Sequence, residues 1–169
     1  MHANITTILV PTDFSATADA ALEYGKDLVA AVGASLHVLH VLEDAYMGGS
    51  FAGELYVPES PTLRAAMVKE AESLLEHRVS PSDRERLRAR TAVIVGRSFK
   101  AIVDYADEHG IDLVVIGTHG RTGMAHLLLG SVAERIVRTA PCPVLTVREK
   151  RAAADAPARV PILSETVIV

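Results

Sequence analysis

Five short apolar runs recur along the chain, separated by helix-length segments. They are Ile5 to Val10, Leu36 to Leu42, Thr91 to Val95, Leu113 to Ile116 and Val144 to Val147. Each is too short for a helix but suits a strand. Ile5 to Val10 is rich in β-branched residues, and Leu113 to Ile116 is unbroken by polar residues. Such runs suit strands buried on both faces of a sheet. The first ends at Pro11, the third at Gly96 and the fourth at Gly117.

The segments between them carry helical spacing. Ala16 to Val32 places Ala18, Ala21, Leu22, Leu28, Val29 and Val32 on one side, and Gly33 supplies a stop. Thr62 to His77 places Leu63, Ala66, Met67, Ala71, Leu74 and Leu75 in the same way. A third helix runs from a capping Ser98 to His109, before Gly110. A fourth runs from about Ser131 to Thr139, ahead of Pro141. The order β-α-β-α-β-α-β-α-β implies an α/β fold with a five-stranded parallel sheet and helices on both faces. Right-handed crossovers limit the possible topologies, and the expected strand order is the Rossmann-like 3-2-1-4-5. Ligands on such sheets sit beyond the C-terminal strand ends where the order reverses, here between strands 1 and 4. That singles out Pro11, Thr12 and Asp13 on one side and the loop from Gly117 on the other.

The remaining segments fit around this frame. Asp44 to Pro61, with Gly48, Gly49, Gly53 and Pro58, reads as a long loop. Ser80-Pro81-Ser82 reads as a break after the second helix. Arg84 to Arg90 reads as an exposed turn, either a solvated connector or a nucleic-acid patch. Residues 1–148 form the expected domain. Residues 149–169 are rich in Ala and Pro, turn apolar at the end, and read as a tail able to touch a partner protomer.

Composition narrows the function classes. With 49% hydrophobic residues, 169 residues can bury a sizeable core. No apolar run reaches the ~18–20 residues of a membrane helix, so no membrane insertion is expected. Met1-His2-Ala3-Asn4 lacks the basic and apolar segments of a signal peptide, and Cys142 is the sole cysteine. Both suggest a cytoplasmic setting. A net charge of −4, no Trp and few aromatics argue against nucleic-acid binding. The charge is uneven, −8 over residues 1–83 and +4 over 84–169. The basic half either attracts an anionic ligand or carries an unremarkable surface.

The fourth strand runs into Gly117-Thr118-His119-Gly120-Arg121-Thr122-Gly123, and Gly130-Ser131 opens the next helix. Four glycines in fourteen positions suit a backbone that turns tightly and approaches a ligand closely. Backbone N–H groups ahead of a helix N-terminus make an anion site. Arg121 is its one fixed positive charge, beside His119 and His126. A plain connector needing several positive-φ residues is the competing reading. Neither G-x4-G-K-[ST] nor a G-x-G-x-x-G after the first strand is present, which excludes a P-loop NTPase and a Rossmann dehydrogenase.

The spacing G-x2-G-x9-G-[ST], here Gly117, Gly120, Gly130 and Ser131, resembles that of nucleotide-binding universal stress proteins. So do Ile8-Leu9-Val10-Pro11-Thr12-Asp13-Phe14-Ser15, the stretch from Gly130 to Arg138, and Ala140-Pro141-Cys142-Pro143-Val144-Leu145-Thr146-Val147. The resemblance covers roughly residues 4–148. It implies an ATP (or AMP or ADP) site and a homodimer paired through Val144 to Val147. It also implies that Asp13 meets the ribose or adenine side, Val41 lies against adenine and Ile116 lines the pocket. The glycines and Ser131 would hold the phosphates, and Mg²⁺ or Mn²⁺ would be carried mainly by phosphate and water. The binding set is Pro11, Thr12, Asp13, Val41, Ile116, Gly117, His119, Gly120, Arg121, Gly130, Ser131 and Val132.

Several of these residues have a second reading. Asp13 also suits a helix-entry cap. Ser131 and Glu134 fit the capping-box pattern S-x-x-E, which competes for the hydroxyl proposed to bind phosphate. His37 and His40 lie on opposite faces of the second strand and read as satisfied structural histidines; Cys142 reads as a small buried hydrophobe. His119 and His126 are spaced poorly for a metal, and no zinc motif is present. No catalytic residue is assigned. The sequence reads as a nucleotide-binding stress or regulatory module with at most slow ATP hydrolysis. The alternatives are an ATPase or nucleotidyl-transfer enzyme, and a dimeric interaction protein without nucleotide.

Overall fold

Thr7–Thr12 forms β1, whose Ile8, Leu9 and Val10 are fully buried. It begins two residues later than the apolar run, because Asp112 anchors its start. Oδ2 of Asp112 accepts hydrogen bonds from the backbone N–H groups of Thr6 (2.8 Å) and Thr7 (3.0 Å) and from Thr6 Oγ1 (2.8 Å). The Thr6 N–H, more than any other group, holds the Asp112 carboxyl below the usual carboxylate range. The computed structural model describes residues 4–43, 61–120 and 129–148. The expectations for the loop from Asp44, for Arg121, Gly123 and His126, and for the 149–169 tail lie outside the described residues.

The chain continues through α1 (Ala16–Val32), β2 (Ser35–Glu43), α2 (Pro61–Arg78), α3 (Pro81–Arg86), β3 (Arg90–Gly96), α4 (Ser98–Glu108), β4 (Leu113–Gly117), α5 (Ser131–Thr139) and β5 (Val144–Val147). The sheet is parallel, as the alternation of elements implies, and has the expected order β3-β2-β1-β4-β5. Strand alternation splits the core in two. Ile8, Val10, Leu36, Val38 and Val115 pack with Ala21, Leu22, Val29, Leu75 and Val79 on one face. Leu9, Leu39, Val114 and Ile116 pack with Ile102, Tyr105, Ala133 and Ile136 on the other. Each fully buried valine, leucine or isoleucine among them contributes about 1.5–3 kcal/mol. Helices thus cover both faces. No helix among the described residues is long and apolar enough to cross a membrane.

Local chemistry sets the helix ends. Ser15 caps α1, its Oγ accepting from the Ala18 N–H at 3.2 Å, and Gly33 closes it at φ 73°. Two expectations need correcting. Ser80-Pro81-Ser82 does not merely end α2; it starts α3. Ser80 Oγ accepts from the Asp83 N–H (3.1 Å), and Asp83 Oδ2 accepts from the Ser80 N–H (3.4 Å). Pro81 supplies a fixed φ at the first helical position. The basic run is therefore divided among α3, a turn and β3. Ser98 is the first residue of α4 rather than its cap; the cap position is Arg97, and no side chain caps it.

The buried histidines are satisfied, as expected. His37 Nδ1 meets the Tyr105 hydroxyl at 3.0 Å, and His40 Nδ1 donates to the Thr12 carbonyl at 2.8 Å. Cys142 is half-buried against the second core, and burial raises its thiol pKa.

Candidate functional site

The site is built where β1 ends between β2 and β4. Thr12 Oγ1 accepts from the Phe14 N–H at 3.0 Å, bending the chain out of the strand. Phe14 adopts φ 65°, uncommon for a bulky residue, and is clamped on both sides. Its ring stacks on His40 at 4.3 Å, and the Arg78 guanidinium lies 4.8 Å above it. Arg78 is held in turn by Asp19, Nε to Oδ1 at 2.6 Å. This clamp fixes Asp13. Asp13 Oδ1 accepts from Ser15 Oγ (2.6 Å) and the Ser15 N–H (3.1 Å), while Ser15 is the helix cap. Asp13 therefore does not cap α1 itself; it orients the residue that does.

On the other side, the loop after β4 folds back on itself. The Gly130 N–H donates to the Thr118 carbonyl at 2.7 Å, and the Thr118 N–H donates to Val147 at 2.9 Å. His119 Nδ1 lies 3.0 Å from Thr118 Oγ1. The start of α5 is thereby set beside the end of β4. The described glycines of this loop do not show the positive φ of the plain-connector reading. Among the described glycines only Gly33 and Gly110 have positive φ. Gly130 is extended, with φ −69° and ψ 154°. Close approach is what excludes a side chain. A Cβ on Gly117 would meet Thr17 at 3.0 Å, and one on Gly130 would meet the Thr118 carbonyl oxygen at 3.2 Å.

Ser131 is the first residue of α5, and Gly130 holds the cap position with no side chain capping it. The expected capping box with Glu134 does not form, because Ser131 is one position too far into the helix. Glu134 Oε1 instead accepts from Arg138 at 3.0 Å. The first N–H groups of α5 thus have neither intrahelical partners nor a side-chain cap.

Between these two halves lies a cleft of about 520 Å³. Pro11, Thr12, Asp13, Val41, Ile116, Gly117, His119, Gly120, Gly130, Ser131 and Val132 all line it. Arg121, the remaining residue of the expected set, lies outside the described residues. One part of the wall is apolar, with Leu39, Val41, Ile102, Ile116 and Met67. Another part carries Asp13, Thr118, His119, Ser131 and the exposed end of α5. Such a wall suits a molecule with a flat apolar body and an anionic end.

Residues 4–148 match the model of the universal stress protein family. The chain belongs to that family. The universal stress protein MJ0577 of Methanocaldococcus jannaschii is 28% identical over 153 residues, covering 85% of this chain and 94% of that protein. The universal stress protein YxiE of Bacillus subtilis is 32% identical over 144 residues, covering 83% and 97%. The solved structure of MJ0577 superposes with a TM-score of 0.71 at 28% identity, covering 88% of this chain and 99% of that one. A universal stress protein solved in complex with cAMP superposes at 0.53 with 25% identity, covering 84% and 95%.

In this universal stress protein, sequence reasoning missed several lining residues. Thr118 stands within the glycine motif, and its position alone could have marked it. His40 lines the cleft while also bonding Thr12, so a structural role and a site position coincide. Ser98 and Glu43 come from the ends of α4 and β2 and meet at 2.7 Å, Oγ to Oε1. Nothing local in the sequence pairs them; the parallel register of β2 with β3 does.

Proposed function

We propose that this universal stress protein is an adenine-nucleotide-binding regulatory module, with ATP (or AMP or ADP) in the cleft between β1 and β4. The observation that carries the reading is that eleven residues from four separate segments line one cleft at the topological switch point. A related universal stress protein solved with cAMP adds support. In this reading Val41 and Ile116 face the base, Asp13 meets the sugar, and Gly117, Gly120, Gly130, Ser131 and Val132 surround the phosphates. Pro11 and Thr12 shape the floor, His119 adds a polar edge and Arg121 adds positive charge. Mg²⁺ or Mn²⁺ would be held mainly through phosphate oxygens and water.

The reading includes at most slow hydrolysis. Asp13 and His119, the groups that could orient water, already bond Ser15 and Thr118. The module is proposed to work in the cytoplasm as a homodimer. β5 is an edge strand whose Val144, Leu145 and Val147 are only half-buried, which invites pairing with a second copy. Residues 149–169 are proposed as a tail touching the partner.

Mass spectrometry of small molecules retained through purification, followed by calorimetry with ATP and AMP, tests the central reading. A retained adenine nucleotide and micromolar-range binding are expected. Absence of both would leave the dimeric interaction protein as the better account. Labelled-ATP turnover at enzymic rates would instead favour an ATPase. Light scattering should give twice the protomer mass.

A further inference from the structure

Asp13 stands between two backbone carbonyls, and a side chain from another element reaches each of them. His40 Nδ1 on β2 donates to the Thr12 carbonyl at 2.8 Å. Arg78 Nη2, from the last residue of α2, donates to the Phe14 carbonyl at 3.4 Å. The same two side chains enclose the Phe14 ring, His40 at 4.3 Å and the Arg78 guanidinium at 4.8 Å. The turn that carries Asp13 is thus gripped at the residue before it and at the residue after it.

This grip has an inner and an outer part. Thr12, Asp13 and His40 line the main cleft. Phe14, Arg78 and Asp19, all described residues, lie outside that lining. The outer part depends on a guanidinium. Nε and Nη2 of Arg78 donate to Oδ1 and Oδ2 of Asp19 at 2.6 and 3.3 Å, a two-pronged pair. The edge of the group is committed to Asp19 and to the Phe14 carbonyl, while its face lies over the ring. A lysine ammonium has neither that fork nor that face. What is held is an uncommon backbone, Phe14 at φ 65°. Such residues persist where their surroundings over-determine them, and they cluster at ligand clamps. Asp13 Oδ1 accepts from Ser15 within the same turn, so the carboxylate takes its direction from the turn.

We infer that Arg78 is a positioning residue for the sugar of the bound nucleotide, acting from outside the cleft. Backed by Asp19, it holds the turn from Thr12 to Ser15 so that the Asp13 carboxylate accepts from the sugar hydroxyls. The inference rests on the nucleotide reading and adds a remote residue that sets the preference for a hydroxylated sugar.

The test is titration calorimetry of the full chain with ATP and with its 2′,3′-dideoxy analogue, with a melting curve on each sample. The wild type should prefer ATP by about tenfold or more, the scale of hydrogen bonds to a carboxylate. Arg78→Ala should bring that ratio to within about threefold by weakening ATP alone, with the dideoxy analogue held within about twofold. Arg78→Lys should recover little of it. In an Asp13→Asn background, Arg78→Ala should change the ratio no further. Asp19→Ala removes only the support behind Arg78 and should give an intermediate ratio; it decides the matter where Arg78→Ala does not fold. An unchanged ratio in these variants, equal weakening of both nucleotides, or a further change in the Asp13→Asn background would overturn the positioning role and leave the nucleotide reading in place. A wild type that binds both nucleotides equally would overturn it together with the sugar contact of Asp13. A wild type that binds neither would overturn the nucleotide reading itself.

Discussion

Oδ2 of Asp13 stands 2.6 Å from the point that a Cβ on Gly120 would occupy. The two residues come from opposite sides of the cleft, one after β1 and one after β4. A methyl group at position 120 would therefore push on the carboxylate. Asp13 cannot simply swing away, because its other oxygen is held by Ser15 through two hydrogen bonds. Gly120→Ala should weaken ATP binding roughly tenfold, the scale of one misplaced polar contact. Thermal stability should change little, since position 120 is exposed. Calorimetry and a melting curve on the same sample check both halves. Unchanged ATP affinity would mean that Asp13 does not touch the ligand.

The sheet could be read from the chain because each strand is a short apolar run, three of them closed by proline or glycine. Crossover handedness limited the strand orders without choosing among them, and Asp13 and Gly117 followed from the order expected. The rest required the fold. Ser80-Pro81-Ser82-Asp83 looks like a helix breaker from upstream and is a capping box from downstream. Ser131 looks like a cap, but the cap position falls on Gly130, one residue earlier. The glycines of the loop were legible as a motif, whereas their physical cause was not. What forbids a side chain is Thr17, Asp13 or Thr118 arriving from a distant or folded-back segment. Sequence spacing carries no information about such approaches.

Gly25 poses the same question inside the core. It lies in the middle of α1, where alanine would raise helix propensity by about 1 kcal/mol. A Cβ there would sit 2.6 Å from Val10 Cγ2. Val10 is fully buried in β1, and its β-branched side chain has little rotamer freedom. Overpacking of this kind costs about 1–3 kcal/mol. Gly25→Ala should therefore lower stability by about 1 kcal/mol net in urea denaturation. A higher midpoint would show that α1 can move off the sheet.

His37 makes stability depend on pH. Burial, then the positive charges of His109 and Arg90, push its pKa below the ordinary histidine value. It lies edge-on to His109 and Tyr105 and pairs in register with Arg90. Protonation thus favours the unfolded chain. The contribution is fully present above the unfolded value of about 6.5 and is lost as pH falls through the lower folded value. Asp112, with its own depressed pKa, acts in the same direction only once pH falls into the ordinary carboxylate range and below it. Urea midpoints should fall between pH 7.5 and 5.5. His37→Gln should flatten that slope, whatever it does to the baseline. An unchanged slope would assign the effect to another histidine.

Ser131 and Gly130 separate ligand binding from folding. Ser131 does not cap α5, so Ser131→Ala should leave stability within about 0.5 kcal/mol of the parent. Ser15→Ala removes a hydroxyl that does cap α1 and should cost about 1 kcal/mol. If the Ser131 hydroxyl meets phosphate, its loss should weaken ATP by about 0.5–1.5 kcal/mol, and up to about 3 with a charged partner. Gly130→Val is a harsher change, though not because of its backbone angles, which valine can adopt. Its Cβ would press on the Thr118 carbonyl at 3.2 Å, and the same carbonyl accepts the Gly130 N–H. Gly130→Val should thus abolish measurable ATP binding and also lower the melting temperature. Ser131→Ala should weaken binding alone. Full ATP affinity in Gly130→Val would move the phosphate site away from the start of α5, and with it the role assigned to Ser131.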